Sequence, residues 1–180
     1  MDRLEDAKRR VRMVVLDVDG VLTDGRVTFV GEPGREPTEV KSFHVRDGLA
    51  VKWAERVGLI TGILTARSSP AVERRAREME VAHLAMGVDS KLPRLRALAA
   101  DAGVSLDAVA YMGDDLADLG PLSAVGLPIA VADAAPEVRE AAHWVTERGG
   151  GAGAVREAIE GILRAQGRWH TVVDAHRGDS

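Results

Sequence analysis

Val11-Arg12-Met13-Val14-Val15-Leu16 runs directly into Asp17-Val18-Asp19-Gly20, so an apolar, strand-like stretch ends in two carboxylates two residues apart. Side chains at i and i+2 of an extended chain point to the same side, which lets Asp17 and Asp19 share one small site where the strand leaves its sheet. In open α/β sheets ligands bind beyond the carboxyl ends of the strands. The pair suits phosphoryl transfer, with one carboxylate attacking while the other carries a proton.

Beyond this strand, β-prone runs at 26–30 and 39–44 flank the Gly- and Pro-rich 31–37 and predict a projecting hairpin. Asp47-Gly48 leads into an amphipathic helix that Gly58 ends, and 59–64 supplies a second strand. The alternation continues: helix 69–79, strand 81–84, helix 90–102, strand 108–112, short helix 116–119, strand 129–132, helix 135–142, strand 143–146 and a last helix 154–165. Such alternation predicts an α/β fold with a parallel sheet flanked by helices. The 180 residues are expected to form one domain, 1–180, with the hairpin at 26–44, Trp53 and Trp144 in the core, and a polar, mobile tail at 166–180.

Composition narrows the function classes. Charged residues are 29% and hydrophobic ones 46%, ordinary for a soluble globular chain. A net charge of −4 without a basic block, and only 3% aromatics, supply neither a phosphate-tracking groove nor a base-stacking platform, so nucleic acid is excluded as a partner. The absence of cysteine removes disulfides, thiolate nucleophiles and zinc thiolates. The amino terminus lacks the apolar core of a signal peptide, and no apolar stretch approaches the roughly 20 residues of a membrane helix. The expectation is a cytoplasmic protein with no membrane partner.

Three further strand ends carry polar residues. The second ends at Thr65-Ala66-Arg67, Lys91 opens the helix after the third, and Gly113-Asp114-Asp115 closes the fourth. Asp17 is the candidate nucleophile, forming an aspartyl phosphate that splits one hard hydrolysis into two easier displacements. A carboxylate and a phosphate repel, so the site calls for a cation, and Mg²⁺ suits an all-oxygen shell that includes Asp17 and Asp114. Lys91 neutralises charge on the transferring group, the Thr65 hydroxyl donates to a phosphoryl oxygen, and Asp19 protonates the leaving oxygen and then activates water.

Taken together these residues resemble the haloacid dehalogenase superfamily of aspartate-nucleophile phosphatases. Asp17-Val-Asp-Gly-Val-Leu-Thr23 is similar to its first motif, Thr65 to its second, Lys91 to its third, and Gly113-Asp-Asp-Leu-Ala-Asp118 to its fourth. Val21-Leu-Thr-Asp-Gly25, Phe43-His-Val-Arg-Asp-Gly48 and Gly150-Gly-Ala-Gly-Ala-Val-Arg-Glu157 narrow the resemblance to the 3-deoxy-D-manno-octulosonate 8-phosphate phosphatases, over nearly the whole chain. The resemblance implies a Rossmann-like fold, Mg²⁺, an acidic sugar phosphate substrate, and a role in lipopolysaccharide biosynthesis. It also implies that the backbone carbonyl of Asp19 joins Asp17 and Asp114 on the metal, with Asp115 and Asp118 behind them. The chain departs from the family pattern at Ala66, where glycine is usual, and in its longer hairpin turn.

The spacings from Asp17 to Thr65 and from Thr65 to Lys91 leave no room for a cap domain. Phosphoryl transfer benefits from excluding water, and the resembling family builds a tetramer with its hairpins; a homotetramer whose neighbouring subunits close the site is therefore expected. Arg67 and then Arg46 are the candidates to grip a substrate carboxylate. His44 is assigned a structural or intersubunit role, and the glycines of 149–153 a flexible approach to the last helix. Two alternatives stand: a nonulosonate 9-phosphate phosphatase with the same machinery, and a non-catalytic relative that keeps the scaffold as a binding partner.

Overall fold

The computed structural model describes residues 3–178. Six parallel strands form one sheet: β1 (Met13–Leu16), β4 (Ile60–Leu64), β5 (His83–Ala85), β6 (Val109–Gly113), β7 (Leu127–Ala130) and β8 (Trp144–Val145), in the spatial order β5-β4-β1-β6-β7-β8. Every residue of β1, β6 and β7 is buried, as expected of strands covered on both faces. In register, Leu16 lies beside Ile63 of β4 and Met112 of β6. From β1 the chain builds outward to β4 and β5, then returns to β6 on the other side. The crevice between β1 and β6 is thus the reversal point at which doubly wound sheets place their ligands.

Helices α1 (Arg3–Arg10), α2 (Val45–Arg56) and α7 (Ala154–Ala165) pack together; α3 (Pro70–Glu78) joins β4 to β5, α4 (Lys91–Asp101) carries the chain from β5 back to β6, and α5 (Leu119–Ala124) and α6 (Pro136–Ala141) follow β6 and β7. In α7, residues Ala154, Val155, Ala158, Ile159, Ile162 and Leu163 make one buried stripe at helical spacing. The hairpin is real: β2 (Thr28–Val30) pairs antiparallel with β3 (Thr38–Val40) as a separate two-stranded ribbon. Its second strand is shorter than the predicted 39–44, because Lys41 turns inward to a carboxylate instead of continuing the ladder.

Two other expectations change. The tail predicted as mobile over 166–180 folds, from Trp169 to Gly178, as helix α8; residues 179 and 180 lie outside the described residues. Val172 is buried, and Trp169 meets Trp53 edge-on at 5.9 Å, with the Arg156 guanidinium over both rings at 5.0 and 4.4 Å. Trp53 and Trp144, expected in the core, pack against it from partly buried positions. Helix α1 was not anticipated, since Ala7 is its one buried residue, Leu4 its only other apolar one, and the rest is charged, braced by Lys8–Glu5 at 2.9 Å.

Candidate active site

Asp17 is the first residue after β1, its N–H still donating to Met112 O of β6 at 3.0 Å. Asp114 is the first residue after β6. The sheet itself therefore brings the two carboxylates to the same crevice. Thr65 follows β4, and Lys91 is the first residue of α4 after β5. Together with Asp19, Arg67, Asp115, Asp118 and three small residues they line one cavity of about 280 Å³. Among the predicted site residues only Arg46 lies elsewhere, in a larger cleft of about 590 Å³ along α7 that it shares with Arg148, Arg156 and Arg164. It occupies the exposed first turn of α2, so within this chain it faces away from the carboxylates.

The interior of the site is a network centred on Asp118, which is fully buried. Its Oδ1 accepts from Lys91 Nζ and from the Tyr111 hydroxyl, both at 2.6 Å; its Oδ2 accepts from the Asp114 and Asp115 amides at 3.0 and 3.3 Å. Lys91 also lies 2.8 Å from Asp17 Oδ2. The Asp115 carboxylate caps the turn Leu116–Asp118, accepting from the Leu116 amide at 2.8 Å. Tyr111, the chain's one tyrosine, was missed in the sequence; its place in a buried strand was the available signal, because a buried phenol needs a polar partner. Burial, then the Asp118 charge, pushes its hydroxyl far above the usual range, so it remains a proton donor to Asp118.

One lysine faces three carboxylates, and their titration reflects it. Burial, followed by the Asp118 charge, raises Asp17 from 3.8 to about 6 in spite of Lys91. Burial, followed by the charges of Asp17 and Asp118, raises Asp114 from 3.8 to about 7. Burial by itself would lower Lys91, but the charges of Asp17 and Asp118 outweigh it and raise its pKa.

Oxygens of Asp17, Asp114 and Asp118 lie within 4.8 Å of one another, close enough for one ion. Both Asp118 oxygens are already saturated by four donors, which leaves Asp17 and Asp114 as the available ligands. Two crowded carboxylates whose ionisation is suppressed fit a small hard cation, which would relieve that suppression. Gly20 is what allows the crowding: it sits at φ 85°, and a Cβ there would fall 1.9 Å from Asp114 Oδ2.

Asp19 stands apart from this network. Its Oδ1 pairs with Lys41, which follows β3, and its Oδ2 lies 3.6 Å from Arg67 Nε. Neither Lys41 nor Glu39, which also touches Arg67, was a sequence candidate. The glycines of 149–153, predicted as flexible, instead pack tightly on the loop after β1: Gly151 N–H donates to Val21 O at 2.9 Å, and a Cβ at Gly150 would sit 1.8 Å from Gly20 O.

Known proteins resemble this chain in sequence and in fold. The haloacid dehalogenase-like hydrolase family matches residues 80–159. A 3-deoxy-D-manno-octulosonate 8-phosphate phosphatase of Salmonella typhi is 39% identical over 170 residues, 94% of this chain and 86% of the relative. The corresponding phosphatase of Moraxella catarrhalis, solved in complex with magnesium ion, phosphate ion and KDO, superposes with a TM-score of 0.92 at 36% identity, covering 98% of this chain and 99% of that one. That of Yersinia pestis gives a TM-score of 0.89 at 37% identity, over 94% of this chain and 89% of the other.

Proposed function

We propose that this chain, which belongs to the haloacid dehalogenase-like hydrolases and within them to the 3-deoxy-D-manno-octulosonate 8-phosphate phosphatase family, is a Mg²⁺-dependent phosphatase that releases the free sugar acid and phosphate from 3-deoxy-D-manno-octulosonate 8-phosphate. The observation that carries the reading is the meeting of Asp17, Thr65, Lys91 and Asp114 in one small cavity at the sheet's reversal point. Asp17 and Asp114, with the Asp19 carbonyl, would hold Mg²⁺, whose chemistry when bound is to neutralise charge between a carboxylate and a phosphoryl group.

In the mechanism we assign, an Asp17 oxygen bonds to phosphorus as the ester P–O bond breaks, and Asp19 gives its proton to the leaving sugar oxygen. Asp19 then takes a proton from water, the water oxygen bonds to phosphorus, and the Asp17–phosphorus bond breaks to free phosphate. Lys91, 2.8 Å from Asp17 Oδ2, orients the nucleophile and neutralises the transferring group. Thr65, buried beside them, presents its hydroxyl to a phosphoryl oxygen. Asp118 and Tyr111 hold Lys91 in place from behind.

Among the described residues no element forms a cap over the site. Val27, Phe29, Val30 and Val40 of the hairpin and Val45 of α2 are exposed by 44–70%, which supports subunit contacts there and, in our reading, a homotetramer whose neighbours close the sites. Sedimentation showing only monomer would refute that assembly. A cytoplasmic location, supported by the cysteine-free composition, belongs to the same reading.

Phosphate release with Mg²⁺ and with EDTA, across eight-carbon and nine-carbon sugar-acid phosphates, neutral sugar phosphates and nucleotides, tests the function. Metal-dependent preference for the eight-carbon acid is expected. Preference for a nine-carbon acid would keep the mechanism and change the substrate, and silence on every substrate would overturn the enzyme.

A further inference from the structure

Along α7 runs a cleft of about 590 Å³, larger than the catalytic cavity of about 280 Å³ and sharing no residue with it. Its floor is the outer face of the helix, opposite the buried stripe, and two glycines keep that face low. At Gly161 a Cβ would fall 2.5 Å from Trp144 Cη2, so the indole edge lies directly on the helix. At Gly153 a Cβ would fall 3.1 Å from Arg148 Cδ and Nη1, so the Arg148 side chain lies across the start of α7. Leu49 of α2, an exposed leucine, adds apolar surface to Trp144 on the walls.

The charges of the cleft do not balance. Four arginines line it, with two glutamates. Glu160 is taken by Arg156 at 2.9 Å and by Arg164 at 2.6 Å, and both guanidiniums also lie against the Trp169 ring. Glu157 is turned to the backbone, where it accepts from the Glu147 and Arg148 amides at 2.8 and 3.1 Å and so fixes the loop that carries Arg148. The Arg148 charge is felt by Asp47, but that carboxylate is buried and its oxygens accept from the Gly153 and Arg156 amides. Among the described residues neither Arg46 nor Arg148 makes a salt bridge or a side-chain hydrogen bond. Four arginines against two glutamates leave an excess of two positive charges here, in a chain whose net charge is −4.

We propose that this cleft is a second ligand site, and that it takes a nucleotide. Guanidinium groups hold the oxygens of a phosphate through paired, charge-assisted hydrogen bonds, and a phosphate dianion matches the two charges that Arg46 and Arg148 leave uncompensated. A bare phosphate would leave most of the cleft unfilled. The apolar surface of Leu49 and Trp144 beside the arginines fits a ligand whose phosphate is joined to a ring system, and that is the chemistry of a nucleoside phosphate. This site goes beyond the phosphatase reading and does not depend on it, since none of its residues belongs to the catalytic cavity.

Calorimetry with adenosine monophosphate and with inorganic phosphate, in EDTA so that no turnover occurs, tests the site. Wild type is expected to bind the nucleotide more tightly than inorganic phosphate, and less tightly as salt rises. Removing one charged hydrogen-bonding partner, in Arg148→Gln or Arg46→Gln, should weaken nucleotide binding by about 10- to 100-fold, with Arg148→Lys restoring part of it. Leu49→Ser should weaken the nucleotide and leave inorganic phosphate unchanged. Thr65→Ala, which alters the catalytic cavity, should bind the nucleotide as wild type does. An unchanged Tm in the arginine variants shows that they are folded. The proposal fails if wild type does not bind the nucleotide, if Thr65→Ala weakens binding and the arginine variants do not, or if inorganic phosphate binds as tightly as the nucleotide. Failure of the phosphatase reading is seen separately, in the phosphate-release panel with Mg²⁺.

Discussion

Removing the metal makes the active site a measurable liability, and pH sets its size. A carboxyl whose folded pKa exceeds its unfolded value binds more protons in the native state, so stability falls as pH rises across that interval. With Asp17 at about 6 and Asp114 at about 7 against 3.8 unfolded, the loss in EDTA runs from about pH 4 to about pH 7. Treated as independent, the two groups would lose about 4 kcal/mol between pH 5 and 8. They are not independent, because the Asp114 rise includes the Asp17 charge and Asp114 is partly solvated, so about half of that is expected. For a chain of this length about 2 kcal/mol lowers Tm by about 4–8 °C.

Few other groups confuse the window. Lys91 is raised and titrates above it; Glu39 and Glu160 are lowered and lose their contribution below it. Asp47, raised by burial, changes in the same direction, so wild type must be compared with Asp114→Asn. Thermal unfolding at pH 5 through 8 should show a falling Tm in EDTA for wild type and a much flatter profile for Asp114→Asn. Saturating Mg²⁺ should abolish the fall, its stabilisation being larger at pH 8 than at pH 5, where protons compete for the ligands. A Tm in EDTA that is flat or rising, or an equal slope in Asp114→Asn, would refute the crowded-carboxylate account.

Three shorter tests bear on the same framework. Asp17→Asn should lower turnover by at least about 10⁴-fold while leaving Tm in EDTA unchanged or raised, since it removes a destabilised carboxyl; steady phosphate release from pure variant would rule out the aspartyl phosphate. Asp118→Asn cannot accept from four donors at once, and breaking its buried pair with Lys91 should cost about 3–5 kcal/mol, a Tm fall of about 6–20 °C; an unchanged Tm would remove Asp118 from the centre of the network. Trp169→Ala should cost about 1–2 kcal/mol through lost contacts with Trp53 and Arg156, and no change in Tm would mean that α8 adds nothing to the packing.

Where reading succeeded, a local pattern carried it. Apolar runs ending in Asp17, Thr65 and Asp114 announce both the strands and the rim they share, because strand ends in a parallel sheet are forced to one edge. Helix α7 matched its predicted bounds, since six buried side chains repeat at helical spacing. Helix α5 lies where Gly120 and Pro121 discourage a helix reading, and α8 is a ten-residue run whose apolar residues, Trp169, Val172, Val173 and Ala175, are interleaved with two histidines, an aspartate and an arginine. Lys41 and Glu39 sit in an alternating hairpin run where lysine and glutamate read as solvent-facing. Their partners, Asp19 and Arg67, are 22 and 28 residues away in sequence, and nothing local signals either pairing.

The stretches 43–48 and 150–157 contain no catalytic side chain, and the structure explains why they nonetheless accompany the chemistry. Asp47, on α2, caps α7 across the molecule: its oxygens accept from the Arg156 and Gly153 amides at 2.7 and 3.2 Å. That fixes the start of α7, and with it the Gly149–Gly153 turn. The turn in its turn bears on the loop that follows Asp17, through Gly151 N–H to Val21 O and the contact of Gly150 with Gly20 O. The adjoining carbonyl, that of Asp19, is the one proposed to face the metal, so the brace ends one peptide from the ligand set. A side chain at Gly150 would therefore displace the Gly20 carbonyl first and the Asp17–Asp19 backbone next, disturbing the site from a residue that touches none of its carboxylates. Such a constraint depends on two backbones approaching across more than a hundred residues of chain, which is why its sequence trace is a run of glycines and one aspartate with no chemistry of their own.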